Sequence, residues 1–256
     1  MKNKTKKTKN TKNTKNTKNT KNTKNTKNTK KTKFHFYDDK QHFFAGVPKA
    51  VVRHKLFDKR GKRYSSQQVD HLLNLYIQRM TSPGMRHFIR FRHAHMSMDS
   101  NQHFPFFHPY SGIGDKEMRM LCRKDLRDVV VGFDMDDTLH QFGYFINIPT
   151  KKLIALLSTL THEKITYEDI GEMYFGGRQR LAAFKAMFRN LRDTIGLDNV
   201  FMVTANYSSH LPEIIPDLYR RIFDIEFKRS QIYVLQKDSK TTKADLIREI
   251  MAKRGI

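Results

Sequence analysis

A short apolar run in the middle of the chain leads directly into spaced carboxylates. Residues 129–133 read Val-Val-Val-Gly-Phe, and Asp134, Asp136 and Thr138 follow at alternate positions. A buried strand of this kind delivers its last side chain to the carboxyl edge of a sheet, where open α/β folds bind their ligands. Asp134 is then placed to act as a nucleophile. Asp136, two residues later, is placed to exchange a proton with the group that Asp134 attacks or releases.

Four hydrophobic residues followed by Asp-x-Asp-x-Thr-Leu, ending at Leu139, resemble the first motif of the haloacid dehalogenase (HAD)-like hydrolases, which are aspartyl-phosphate phosphatases. The resemblance implies an α/β fold, a Rossmann-like three-layer domain with a parallel sheet and a small helical cap. It also implies Mg²⁺-dependent hydrolysis of a phosphorylated substrate. In this interpretation Asp134 attacks phosphorus, while Asp136 protonates the leaving group and later activates water.

The family also has a Thr or Ser at the end of a second strand and a Lys at the start of a helix, both of which hold phosphoryl oxygens. Val200-Phe-Met-Val-Thr204 supplies the first, although a β-branched residue at a strand end is ordinary. Lys243 supplies the second, because Thr242-Lys-Ala-Asp245 has the form of a capping box before an amphipathic run. The alternatives in this lysine-rich chain are Lys228, Lys237 and Lys240.

The fourth motif of the family, an acidic strand end that completes the Mg²⁺ site, is expected after the lysine helix, but Ile256 is the last residue. The metal ligands that the resemblance leaves are the Asp134 carboxylate and the Asp136 backbone carbonyl. We therefore predict a truncated or split domain, incomplete at the C-terminus, with an open sheet edge beside residues 129–131 for a partner chain to cover. An alternative takes Ile232-Tyr-Val-Leu235, with Asp238 after it, as a displaced fourth motif.

Composition divides the chain into three predicted parts. Residues 1–33 form a Lys/Asn/Thr repeat with 14 of the 49 Lys and Arg residues and no acid, so we expect a disordered tail that binds nucleic acid non-specifically. Residues 34–124 are predicted to be a basic accessory region rich in His and aromatic residues, and residues 125–256 the HAD-like domain. Within that domain, residues 142–176 are expected to form the small cap.

Several helices follow from apolar periodicity. The pattern predicts a helix from Ser66 to Met80, two helices from Pro149 to Leu160 and from Tyr167 to Tyr174, and one that opens at Gly176-Gly-Arg178 and stops at Gly196. Apart from the helix from Ser66 to Met80, residues 34–128 are rich in His and aromatic residues, and we expect them to be irregular, for example at residues 86–95 and 103–110. His93 and His95 lack cysteine or acidic partners at ligand spacing, which favours packing over a metal site.

Composition also limits the classes of protein. The chain has a single cysteine, no apolar stretch near the roughly 18 residues of a spanning helix, and no signal-peptide pattern. We expect an intracellular protein that does not enter a membrane. Besides the phosphatase, two hypotheses remain open: a catalytically inactive HAD-fold binding module, and a basic protein associated with nucleic acid.

Overall fold

A computed structural model describes residues 32–56, 66–96, 112–136, 138–140, 148–206, 208–237 and 240–256. The predictions for the tail before residue 32 and for Asp238 lie outside these ranges. Within them, no helix is long and apolar enough to cross a membrane.

The described residues form an α/β fold. Its five strands are β1 (Lys33–Asp38), β2 (Val51–Lys55), β3 (Val129–Phe133), β4 (Val200–Thr204) and β5 (Ile232–Val234). Its eight α-helices are α1 (Ser66–Gln78), α2 (Pro83–Met96), α3 (Asp115–Leu121), α4 (Thr150–Thr161), α5 (Tyr167–Phe175), α6 (Arg178–Thr194), α7 (Leu211–Phe223) and α8 (Lys243–Lys253). A short 3-10 helix, Gln41–Phe44, lies between β1 and β2.

All five strands are parallel, in the order β2-β1-β3-β4-β5. The expected open edge beside β3 is therefore wrong, because β1 pairs with β3 along that side and β4 pairs with it on the other. The displaced fourth motif is also wrong, since β5 pairs with β4 and lies at the edge of the sheet, away from β3.

Side chains alternate between two cores, one on each face of the sheet. Val129, Val131 and Phe133 of β3 pack on one face with helices α1 to α7, whereas Val130 packs on the other face with α8 and the 3-10 helix. On that second face Gly132 makes room for aromatic rings, because a Cβ there would lie 3.0–3.1 Å from ring atoms of Phe36 and Phe34. A three-layer arrangement results, as expected from the apolar strands.

The predicted division at residue 125 does not match the sheet. Strands β1 and β2 come from residues that we assigned to an accessory region, yet they hydrogen-bond into the same sheet as β3, and residues 31–256 form one compact unit. The physical reason is that β1 buries Phe34, Phe36 and Tyr37 against both cores.

Most predicted helices are confirmed. Helices α1, α4, α5, α6 and α8 lie where the periodicity placed them, within one or two residues at their ends. The expectation that residues 86–96 are irregular is wrong, since α2 runs through them. Helices α4 and α5 belong to the same hydrophobic core as the sheet, through Leu153, Leu157 and Ile170, instead of standing apart from it as a cap.

Candidate functional site

The strand order reverses between β1 and β3. From β1 the chain moves outward to β2 on one side, and from β3 it moves outward to β4 and β5 on the other. In an open parallel sheet this reversal leaves a crevice at the carboxyl ends of the two central strands, where ligands bind. The residues that follow β1 and β3 at this point are therefore the first candidates for a functional site.

Those residues are acids. Tyr37 is paired with Phe133 in the β1–β3 ladder, so Asp38 and Asp134 leave the sheet side by side, and the Asp134 N–H donates to the Tyr37 carbonyl at 2.9 Å. Asp39 follows in the same turn. Carboxylate oxygens of Asp38, Asp39 and Asp134 all lie within 4.8 Å of one another, and all three residues are buried. Three buried carboxylates this close repel one another unless a cation lies among them.

Lys243 supplies one positive charge. Its Nζ lies 2.8 Å from an oxygen of Asp134 and 2.8 Å from an oxygen of Asp38, and its side chain is almost fully buried. The ammonium also lies 3.8 Å from the centre of the Phe43 ring, a cation–π contact from the 3-10 helix after β1. We call Asp38, Asp39, Asp134 and Lys243 the acid–lysine cluster.

The start of α8 holds Lys243 in place. Thr242 is the N-cap, and its hydroxyl accepts from the Asp245 N–H at 3.2 Å, while the Asp245 carboxylate accepts from the Thr242 N–H at 2.8 Å. This reciprocal pair is the predicted capping box, and it sets the first turn. Arg248, one turn later, donates to the Gly46 carbonyl at 2.7 Å, which ties α8 to the chain after β1.

Burial and the charges of the acid–lysine cluster shift the pKa of Asp38. Burial and the nearby Asp134 charge raise the pKa of Asp38 to about 6, against the opposing effect of Lys243. Asp38 also accepts from the Lys40 N–H at 2.8 Å. An acid with a raised pKa in a crevice is a common mark of a functional site.

The turn after β3 is anchored on both sides. The Thr138 hydroxyl lies 3.5 Å from an oxygen of Asp39, and the Thr138 carbonyl accepts from the Ile113 N–H at 3.1 Å. The backbones of Asp136 and His140 form an isolated β-bridge. The His140 Nε2 atom lies 2.9 Å from the Tyr219 hydroxyl. Burial lowers the pKa of His140 to about 3, so this imidazole is neutral and serves as an anchor.

Of the four residues proposed from the sequence, Asp134 and Lys243 are in direct contact. Asp136 lies in the turn two residues after Asp134, partly buried. Thr204 is the fully buried last residue of β4, at the same edge of the sheet, and its hydroxyl accepts from the Asn206 N–H at 3.0 Å. The structure thus places all four at the carboxyl edge.

Asp38 and Asp39 were missed, and they correct the expectation that no further acid remains near Asp134. A signal was present, because Phe34-His-Phe-Tyr-Asp38-Asp39 is an aromatic run that ends in two acids. The resemblance places the acidic strand end after the lysine helix, and the alternative placed it at Ile232–Leu235. In the fold the acidic strand end precedes the first motif along the chain, yet lies beside it in space.

Such a donor set suits a small, hard cation. Mg²⁺ prefers oxygen ligands, with one or two carboxylates and the rest from water or phosphate, and the three aspartates offer these. The nitrogen and sulfur donors that favour zinc are absent from this group of residues.

Comparison of the chain with protein-family models, curated proteins and solved structures finds no match.

Proposed function

We propose that the protein is a Mg²⁺-dependent phosphatase that acts through an aspartyl-phosphate intermediate on Asp134. The observation that carries this proposal is the acid–lysine cluster, which lies at the reversal of strand order with Lys243 2.8 Å from Asp134. The motif around Asp134, with its resemblance to the HAD-like hydrolases, supports the same chemistry.

Each residue of the site has a role in this scheme. An oxygen of Asp134 attacks phosphorus and the ester P–O bond breaks, while Asp136 gives its proton to the departing alkoxide. Asp136 then takes a proton from water, whose oxygen attacks the phosphoryl group and releases Asp134 and inorganic phosphate. Lys243 and the Thr204 hydroxyl hold the non-bridging oxygens through charge and hydrogen bonding.

The carboxylates of Asp134, Asp38 and Asp39 and the backbone carbonyl of Asp136 would hold Mg²⁺. The ion offsets the negative charge of the carboxylates and of the substrate phosphate. In this scheme the third acid of the site comes from β1. An inactive binding module would have no need of these aspartates. Asp38, Asp39 and Asp134 are nevertheless all buried and lie together.

The test is hydrolysis of p-nitrophenyl phosphate by the full chain as a function of Mg²⁺. Asp134→Asn should abolish turnover, because the covalent route loses its nucleophile. Asp39→Asn should raise the Mg²⁺ concentration needed for half-maximal rate at least about tenfold, since loss of even an outer-shell partner costs about 10–100-fold in metal affinity. The matched control is Asp70→Asn, which changes an exposed carboxylate on α1.

Two results would contradict the proposal. Turnover that survives Asp134→Asn would mean that the activity comes from another residue or a contaminant. An equal response of Asp39→Asn and Asp70→Asn to Mg²⁺ would remove β1 from the metal site, and with it the main structural support for the assignment.

A further inference from the structure

The start of α6 brings arginines together at the carboxyl edge of the sheet. Helix α6 ends at Thr194, which lines a cavity with Val129 and Val130 at the opposite edge. Seventeen residues of helix extend about 25 Å, longer than a strand of five residues. Arg178 and Arg180, at the other end of α6, therefore lie toward the edge that carries the acid–lysine cluster.

A close backbone approach fixes Arg79 beside them. Gly177 has φ +104°, and a Cβ at this position would overlap the Cβ of Arg79 and come within 3.0 Å of its carbonyl oxygen. The same carbonyl accepts from the Arg178 N–H at 3.2 Å. Only glycine allows this contact, so the sequence Gly176-Gly177 serves to seat the end of α1 against the start of α6.

The guanidinium of Arg180 has unused donors. Its Nε and Nη2 are buried, and neither has a hydrogen-bond acceptor among the described residues. These two nitrogens lie along one edge of the planar guanidinium and point their N–H bonds in parallel, the geometry that binds two oxygens of a phosphate or carboxylate. The guanidinium lies over Phe184, with its central carbon 5.3 Å from the ring centre.

Charged groups of both signs act on Arg180. Burial lowers the pKa of Arg180 to about 10, with a further decrease from the charge of Arg79, and Asp115 is the nearby acid that opposes it. The N-terminus of α6 adds partial positive charge. Buried donors without acceptors cost stability, and an anion would relieve this cost by supplying the acceptors.

A short path joins this group to the proposed active site. Asp115, which acts electrostatically on Arg180, is the first residue of α3. Two residues before it, the Ile113 N–H donates to the Thr138 carbonyl, and the Thr138 hydroxyl reaches Asp39 at 3.5 Å. The start of α3 thus connects the surroundings of Arg180 to the turn that contacts Asp39.

We propose that Arg180, with Arg79, binds a second anionic group of the substrate, a phosphate or a carboxylate. This inference rests on the proposed function, because it makes the preferred substrates phosphate esters that carry another negative group. Arg180 acts in specificity, and the reacting atoms remain with Asp134.

The first experiment measures anion binding without catalysis. Thermal unfolding of the full chain is followed in EDTA, with and without pyrophosphate or citrate. Arg180→Met should raise the melting temperature without anion, because a buried charge lacking a partner is removed, and should lose more than half of the anion-induced rise. Arg189→Met, at an exposed position of the same helix, should leave both quantities unchanged.

Kinetics identify the second group. For Arg180→Met the KM should rise about tenfold for fructose 1,6-bisphosphate if the group is a phosphate, or for 3-phosphoglycerate if it is a carboxylate, with kcat unchanged. The KM for p-nitrophenyl phosphate should stay the same in either case.

Results of the melting experiment decide between binding and structure. A lower melting temperature for Arg180→Met together with a full anion-induced rise would overturn the inference and make Arg180 a packing residue. An equal loss of the rise in Arg189→Met would overturn it too, by showing general charge screening. If no substrate is turned over, the proposed function fails while the anion site still stands or falls by its own melting data.

Discussion

Charged side chains are buried at one edge of the sheet and exposed at the other. At the carboxyl edge Asp38, Asp134 and Lys243 are buried and paired across β1, β3 and α8. At the opposite edge a cavity of about 450 Å³ is lined by Arg127 and Arg254 among other residues, and both arginines are exposed. Burying ionised groups costs several kcal/mol each, so their concentration at one edge indicates a function there, whereas exposed charges need no such explanation.

The strongest test of this comparison replaces one cationic side chain at each edge of the sheet. Lys243→Met should cost about 3–5 kcal/mol of unfolding free energy, because it leaves buried carboxylates without their partner. Arg254→Met should cost less than about 1 kcal/mol, since the arginine is exposed. Urea denaturation near neutral pH measures both. Equal losses of unfolding free energy would mean that the buried Lys243 stabilises the fold no more than the exposed Arg254 does.

Glycines at the two ends of α6 provide the next comparison. Gly177→Ala should lose about 2–4 kcal/mol, because φ is +104° and the new Cβ would overlap Arg79. Gly196→Ala should lose only about 1 kcal/mol, because its φ is +77° but nothing lies within 4 Å of the new Cβ. Chemical denaturation of the two variants gives the difference. A larger loss of unfolding free energy for Gly196→Ala than for Gly177→Ala would show that Gly177 and Arg79 are not tightly packed.

The smallest expected effect concerns the stability of the fold at acidic pH and the imidazole of His54 on β2. Burial, and then the charge of His35, lower the pKa of His54 to about 4. The unfolded chain, with a pKa near 6.5, binds the proton more readily, so the stability linked to His54 is lost as pH falls from about 6.5 to 4. Neighbouring charges on this imidazole are those of Glu117, which raises its pKa, and Lys116, which lowers it.

His54→Gln should therefore flatten the fall in unfolding free energy between about pH 7 and pH 4.5, by about 1 kcal/mol after allowing for solvent screening. His87→Gln, at an exposed position on α2, is the matched control and should leave the pH profile unchanged. Parallel profiles for the wild type and His54→Gln would show that another group is responsible for the acid sensitivity.

Local patterns in the sequence predicted local structure well. The capping box before Lys243, the apolar runs of β3 and β4 and the periodic face of α6 all appear as expected, because neighbouring residues determine them. The resemblance implied that Asp134 and Lys243 act on the same phosphoryl group, and the two side chains are in contact although they lie more than a hundred residues apart.

Spatial order was not predictable from the same patterns. Strand β1 contains His35 between aromatic residues, follows the lysine-rich repeat and lies far along the chain from β3, so nothing local shows that it pairs there. The paired acids Asp38 and Asp39 acquire meaning only once β1 is beside β3. Similarly, the place of Arg180 beside Arg79 depends on the close approach of Gly177 to Arg79, which the local sequence does not show.

The cavity at the amino edge of the sheet has a consequence for the gene. Thr32, just before β1, and Arg254, just after α8, line the same cavity, so these two points of the chain lie close together. A short linker between them, with a new opening between β2 and α1, would place β1 after the lysine helix without moving a strand. A gene rearranged in this way should encode the same sheet, with Asp38 and Asp39 after Lys243 along the chain.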